Sequence, residues 1–163
     1  AEDGAAVHHG HTGHPQGSGL RRAGEGHRSR HQAEAHCVYL DAHNARELIA
    51  GCDAVLDALD SIEARRILSE ACAEMGIPLV YGAISGWVAQ AGVSMPGDGL
   101  IGTLFPTDIA LGDKSVLSFT PALCAAMQAS LCIKLLVGRP VKTGSISYFD
   151  LLNQEFETIP MTE

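Results

Sequence analysis

"AVLDALDSIEARRILSEACAEMGIPLVYGAI", residues 54–84, decides the fold. "AVLDAL" (Ala54–Leu59) is a short apolar run with Asp57 as its internal exception, the composition of a strand covered on both faces. Ala64, Ile67, Leu68, Ala71, Cys72 and Met75 then recur at i, i+3, i+4, i+7, i+8 and i+11, which lines one face of a helix. Asp60 with Glu63 fits a capping box at its start, Gly76 a C′ position at its end, and Pro78 a stop. "PLVYGAI" (Pro78–Ile84) is a second apolar strand. Strand, capped helix, strand is a βαβ unit, with a right-handed crossover and parallel strands. The class is therefore α/β, with a partial Rossmann-like sheet.

That order places Asp60 where a parallel strand ends and a helix N-terminus begins. Ligands bind at this edge of open α/β sheets, and the helix dipole there favours phosphate. A carboxylate would repel a phosphate unless it holds a cation, so a functional Asp60 implies Mg²⁺. The alternative on pattern alone is that Asp60 is merely an N-cap.

Upstream, "CVYL" (Cys37–Leu40) has strand composition, and "NARELIAGCD" reads as a short helix stopped at Gly51. Downstream, "WVAQAGVSMPGDGLIGTLFP" predicts antiparallel strands joined through the "PGDG" turn, and "TDIALGDKS" (Thr107–Ser115) an exposed loop. "PALCAAMQASLCIKLLVG" (Pro121–Gly138) predicts a helix, apolar nearly all round except at Gln128 and Lys134. Such a helix should be buried, in this domain or against a partner chain. "SISYFD" and "EFETIP" around "LLNQ" predict a closing hairpin.

Composition separates residues 1–36 from residues 37–163. The first part carries four basic and four acidic side chains, seven of the eight histidines, and no Ile, Phe, Trp, Tyr or Met. It cannot bury enough apolar surface to offset its ordering entropy. The remainder carries seven basic and fifteen acidic residues, which argues against nucleic acid as a partner. No apolar run is expected to reach the roughly 18 residues that span a bilayer, and no signal pattern opens the sequence, so the expectation is a cytoplasmic protein without a membrane partner. Five cysteines without a CxxC are expected to be reduced core thiols, not zinc ligands or disulfides.

The motifs "DALDS" (Asp57–Ser61), "RILSEAC" (Arg66–Cys72), "GIPLV" (Gly76–Val80) and "GWVAQ" (Gly86–Gln90) resemble, in order, those of the ThiF/MoeB/HesA family, relatives of ubiquitin-activating enzymes. The family's Q-A-x-x-x-I-K-x-L-x-G helix is matched at Gln128, Ala129, Ile133, Lys134 and Gly138, and "YFDLLNQEFETI" resembles its closing hairpin. The resemblance covers about 125 of the 163 residues. It implies ATP- and Mg²⁺-dependent adenylation of the C-terminal glycine of a ubiquitin-like sulfur-carrier protein, by attack of a carboxylate on the α-phosphate with pyrophosphate leaving. It implies Asp60 as the catalytic carboxylate that holds Mg²⁺ and ATP, with Asp57 and Ser61 at the cofactor site, Gln90 at the substrate site, and a homodimer. Ser61 stands where the family usually has Asn.

The departures from the family are equally specific. Its zinc-binding CxxC pairs are absent from the sequence, and no cysteine lies in the Thr107–Ser118 crossover, so neither structural zinc nor a thioester step is expected. The glycine-rich loop and the basic residues that cradle the triphosphate are not found in frame upstream, so the chain is expected to be a C-terminal portion, incomplete and inactive alone. The stretch "HHGHTGHPQGSGLRRAGEGHRSRHQ" (His8–Gln32) leaves three readings open: a metal-binding arm, a solvated tail, or a segment translated out of frame. Read one nucleotide later, its codons permit a G-T-P-K-V run matching the family's G-x-P-K-V. A different class stays open beside the enzyme, a non-catalytic carrier-binding or dimerisation module. A nicotinamide-dependent dehydrogenase is disfavoured by the missing glycine fingerprint.

Overall fold

A computed structural model describes residues 35–106 and 115–161. The His-rich stretch and most of the Thr107–Ser115 loop lie outside the described residues, and with them the three readings of His8–Gln32.

The elements run α1 (Ala45–Leu48), β1 (Val55–Leu56), α2 (Ile62–Met75), β2 (Leu79–Ser85), β3 (Val88–Ser94), α3 (Leu100–Leu104), α4 (Phe119–Leu136), β4 (Ser145–Asp150) and β5 (Glu155–Pro160). The five strands form one sheet in the order β1-β2-β3-β4-β5. β1 pairs with β2 in parallel, with Val55 opposite Leu79, and the other pairs are antiparallel. The βαβ unit and the closing hairpin are as the sequence predicts, with the first strand shortened from Ala54–Leu59 to Val55–Leu56, and the strand after Trp87 pairs antiparallel to β2.

Side chains alternate across β2, so its two faces meet different partners. Leu79 and Tyr81 point into a core with Leu40, Ile49, Leu68, Cys72, Leu100, Ile101 and Ile146. Val80 and Gly82 lie on the other face, where α4 packs on β2 and β3.

Helix α2 ends as expected, with Gly76 at φ 70° and the Ile77 N–H donating to the Cys72 carbonyl. Its start is corrected by one residue. Ser61, not Asp60, is the N-cap, and its Oγ accepts from the Ala64 N–H at 3.1 Å. Replacing Ser61 with Ala leaves that donor without its cap and should cost about 1 kcal/mol. Urea unfolding measures this, and a change under about 0.3 kcal/mol would remove Ser61 from that role.

Four further expectations are corrected. "CVYL" is not a strand: Val38 and Tyr39 are exposed, and the Asp41 and Asn44 side chains bond nearby backbone and turn the chain into α1 instead. "PGDG" leads into helix α3, not a strand, because Asp98 accepts from the Met95 and Leu100 N–H groups and the Ser94 hydroxyl while Gly99 takes φ 69°. Cys72 and Cys124 are buried, but Cys37 is exposed and Cys52 and Cys132 are only half-buried, so the thiols are not all in the core. For α4 the expectation left the cover open between this domain and a partner chain, and this chain covers one stripe of it. Thr120, Cys124 and Gln128 seat it on the sheet, whereas Ile133 (59%) and Leu136 (56%) are largely exposed. By length and composition alone this helix could cross a bilayer, contrary to the expectation that no such run exists.

Candidate functional site

Five residues separate the end of β1 at Leu56 from the start of α2 at Ile62, and most of the peptides between them are tied down. The Asp57 N–H donates to the Val80 carbonyl at 2.9 Å, continuing the parallel ladder. The Asp57 carbonyl accepts from Gln128 Nε2 at 2.7 Å, from helix α4 across the sheet. The Leu59 N–H donates to Asp57 Oδ1 at 3.0 Å, and the Leu59 carbonyl accepts from Arg65 Nη2 at 2.7 Å. The Ser61 carbonyl then accepts from the Arg65 N–H.

Arg65 and Asp57 form the centre of this arrangement. Arg65 Nε lies 2.6 Å from Asp57 Oδ2, and both side chains are nearly inaccessible. Arg65 Nη2 also donates to the Gly82 carbonyl at 3.0 Å. The guanidinium carbon lies 5.2 Å from the Tyr81 ring centroid and 4.8 Å from that of Phe105, so two aromatic faces shield it from water. Burial pushes the Asp57 carboxyl up to about 6, against the opposing pull of Arg65 and of the Leu59 N–H.

This cluster is the inner wall of a cleft of about 880 Å³, which Asp60, Gln90 and Tyr148 also line. Asp60 is exposed and makes no hydrogen bond or ion pair among the described residues. Gln90 sits on β3 opposite Tyr148, and its Oε1 accepts from the Tyr81 hydroxyl at 3.0 Å. Asp57, Asp60 and Gln90 thus meet in one cleft, while Ser61 stands beside it as the helix cap. Cys124 lines the same cleft, but burial pushes its thiol up to about 11, which leaves almost no thiolate near neutral pH. Among the described residues no three His, Cys, Asp or Glu side chains gather as a metal site.

Two residues at the centre carry more than their sequence motifs suggested. The R-x-x-L-x-x-x-C spacing is met by Arg65, Leu68 and Cys72, one position before the Arg66 that opens "RILSEAC", and it is Arg65 that is buried. Gln128, the polar exception on an apolar helix, is 7% exposed and donates to the carbonyls of Asp57, just past β1, and of Val80 in β2. A glutamine at that position in an otherwise apolar helix was the available signal.

Known proteins resemble this chain in sequence and in fold. Among relatives, the SAMP-activating enzyme E1 of Haloferax volcanii is 33% identical over 128 residues, covering 74% of this chain and 47% of its own length. The adenylyltransferase and sulfurtransferase MOCS3 of Drosophila sechellia is 35% identical over 127 residues, 72% of this chain and 28% of its own. The sulfur carrier protein adenylyltransferase of Thermus thermophilus is 28% identical over 142 residues, 78% and 52% respectively. The chain therefore spans about half or less of these relatives. Among solved structures, E. coli MccB with succinimide superposes with a TM-score of 0.65 at 11% identity, covering 88% of this chain and 46% of that one, a likeness of fold. The ThiF family matches residues 8–163. The chain belongs to the ThiF family, and the relatives it resembles are named as a SAMP-activating enzyme, an adenylyltransferase and sulfurtransferase, and a sulfur carrier protein adenylyltransferase.

Proposed function

We propose that this chain serves the ATP-dependent adenylation of the C-terminal glycine of a ubiquitin-like sulfur-carrier protein, with Asp60 as the carboxylate for the nucleotide's Mg²⁺. The observation that carries this reading is an exposed carboxylate at the junction of a parallel strand and a helix N-terminus, on the wall of a large cleft. Mg²⁺ keeps several waters and takes one or two carboxylates together with substrate phosphates. A single exposed Asp60 fits that demand. Asp57 supports it from behind and is not itself a ligand, because Arg65 occupies its Oδ2 and Leu59 its Oδ1.

The triphosphate is fitted less well. Arg65 is the cleft's lysine or arginine among the described residues, and it is committed to Asp57, Leu59 and Gly82. The charge partners of a triphosphate have to come from outside the described residues, and a chain without them is an incomplete and inactive version of the enzyme. Bound Mg²⁺·ATP would supply the activated α-phosphate. The chain's own residues hold the metal at Asp60 and offer Gln90 as a polar contact for the carrier's tail.

The alternative reading, a non-catalytic carrier-binding or dimerisation module, is favoured by the exposed apolar flank of α4. Calorimetry separates the two. Adenylation predicts measurable Mg²⁺·ATP binding that falls at least tenfold in Asp60→Ala. No heat from Mg²⁺·ATP, and no difference between the proteins, favours the module.

A further inference from the structure

We infer that Arg65 is a positioning residue for Asp60: the Asp57–Arg65 pair holds the backbone on both sides of Leu59 and so fixes the direction in which Asp60 presents its carboxylate. This deepens the proposed function and rests on Asp60 being the metal carboxylate.

The geometry is specific to that task. Leu59 precedes Asp60, and its N–H and carbonyl are both satisfied by the pair, at 3.0 Å by Asp57 Oδ1 and at 2.7 Å by Arg65 Nη2. On the other side of Asp60, the Ser61 carbonyl and hydroxyl are both taken up by the first turn of α2. Asp60 is therefore an exposed side chain whose preceding peptide is held by Arg65 and whose following residue, Ser61, is anchored in the first turn of α2. A metal carboxylate needs that fixity, since a loose one loses ordering entropy at each binding event. Arg65 reaches Asp57, Leu59 and Gly82 with one planar fork, which ties the loop to β2 as well. Its ion pair with Asp57 needs no ligand to complete it. The pair supports the site without touching the metal or the nucleotide.

The test is Mn²⁺ binding in the presence of ATP, followed by water-proton relaxation on the full chain, for wild type, Asp60→Ala and Arg65→Lys. Lysine keeps the charge but not the fork, so Arg65→Lys should bind Mn²⁺ at least fivefold more weakly under conditions where unfolding shows it fully folded. Hydrogen exchange supplies a reading that general destabilisation does not imitate. The Leu59 amide should exchange at least tenfold faster in Arg65→Lys, while amides in the centre of β3 keep their rate. If Arg65→Lys does not fold, Asp57→Asn is measured instead, with the same expectations. Arg65→Lys, or Asp57→Asn in its place, binding within twofold of wild type while Asp60→Ala abolishes binding would overturn the clamp alone. No Mn²⁺ binding by wild type, or none lost in Asp60→Ala, would overturn the reading of Asp60 and the clamp with it.

Discussion

Arg65→Met should destabilise the protein by about 3–5 kcal/mol, the cost of stranding one partner of a buried ion pair. The substitution leaves Asp57, 1% exposed, without its counter-ion, and the Leu59 and Gly82 carbonyls without their donor. A domain of this size is stable by about 5–15 kcal/mol, so the loss is a large fraction of the whole. The pH dependence gives the mechanism away. Burial raises the Asp57 carboxyl to about 6 in the folded protein, from an ordinary 3.8, so its contribution to stability is full below about 4 and declines as pH rises through 6. Without Arg65 the folded value moves higher still, because the charge that opposed burial is gone. The variant's deficit should therefore grow between pH 5 and pH 8. Combining Arg65→Met with Asp57→Leu should recover part of it, since no charge is then left unpaired. Urea unfolding at both pH values decides the matter. A deficit under 1 kcal/mol, or one that is flat with pH, would remove the pair from the centre of the fold.

The parts of the structure that were legible in sequence are those written as periodicity. Helix α2 declares its buried face through residues such as Ala64, Leu68, Ala71 and Cys72, and β2 its length through an unbroken apolar run. Hydrogen bonds to backbone leave no such trace. Arg65 and Arg66 are adjacent and chemically identical, and only the rotation of the helix decides that the first faces Asp57. Asp98 was read as part of a turn, whereas its carboxylate bonds backbone on both sides and starts α3. The apolar composition of α4 predicts a covered helix, in this domain or against a partner chain, and composition does not say which. Within this chain a stripe at Thr120, Cys124 and Gln128 is covered, and Ile133 and Leu136 stay largely exposed. Of the site, Asp57, Asp60 and Gln90 are singled out by the family resemblance, and that they line one cleft is visible only in the structure. The residues that hold Asp60 still are not singled out, because they come from α2, β2 and α4 and meet only in the folded chain.

Gly82→Ala should cost about 2–3 kcal/mol, and most of that cost should disappear when Gln128 is also replaced by Ala. A Cβ built at Gly82 would lie 2.6 Å from both the Nε2 and the Oε1 of Gln128, inside any permitted contact. Backbone strain is not the cause, since Gly82 sits in regular strand paired with Ala91 and any residue can adopt that conformation. The amide has to move, and it cannot move without giving up its bonds to the Asp57 carbonyl at 2.7 Å and the Val80 carbonyl at 3.1 Å. Val80 keeps the ladder bond from Asp57, so the Asp57 carbonyl is the group left without a donor, in a dry interior. Gln128→Ala alone removes the same donor and leaves a gap over β2, which should cost about 1–3 kcal/mol. In that background the methyl added by Gly82→Ala enters space the amide has vacated. The two changes should then be strongly non-additive, with a coupling of about 1–2 kcal/mol. Four proteins and one unfolding experiment measure it. Simple additivity would mean that the Gln128 amide does not lie over Gly82, and that α4 is not anchored to the Asp60 loop through it.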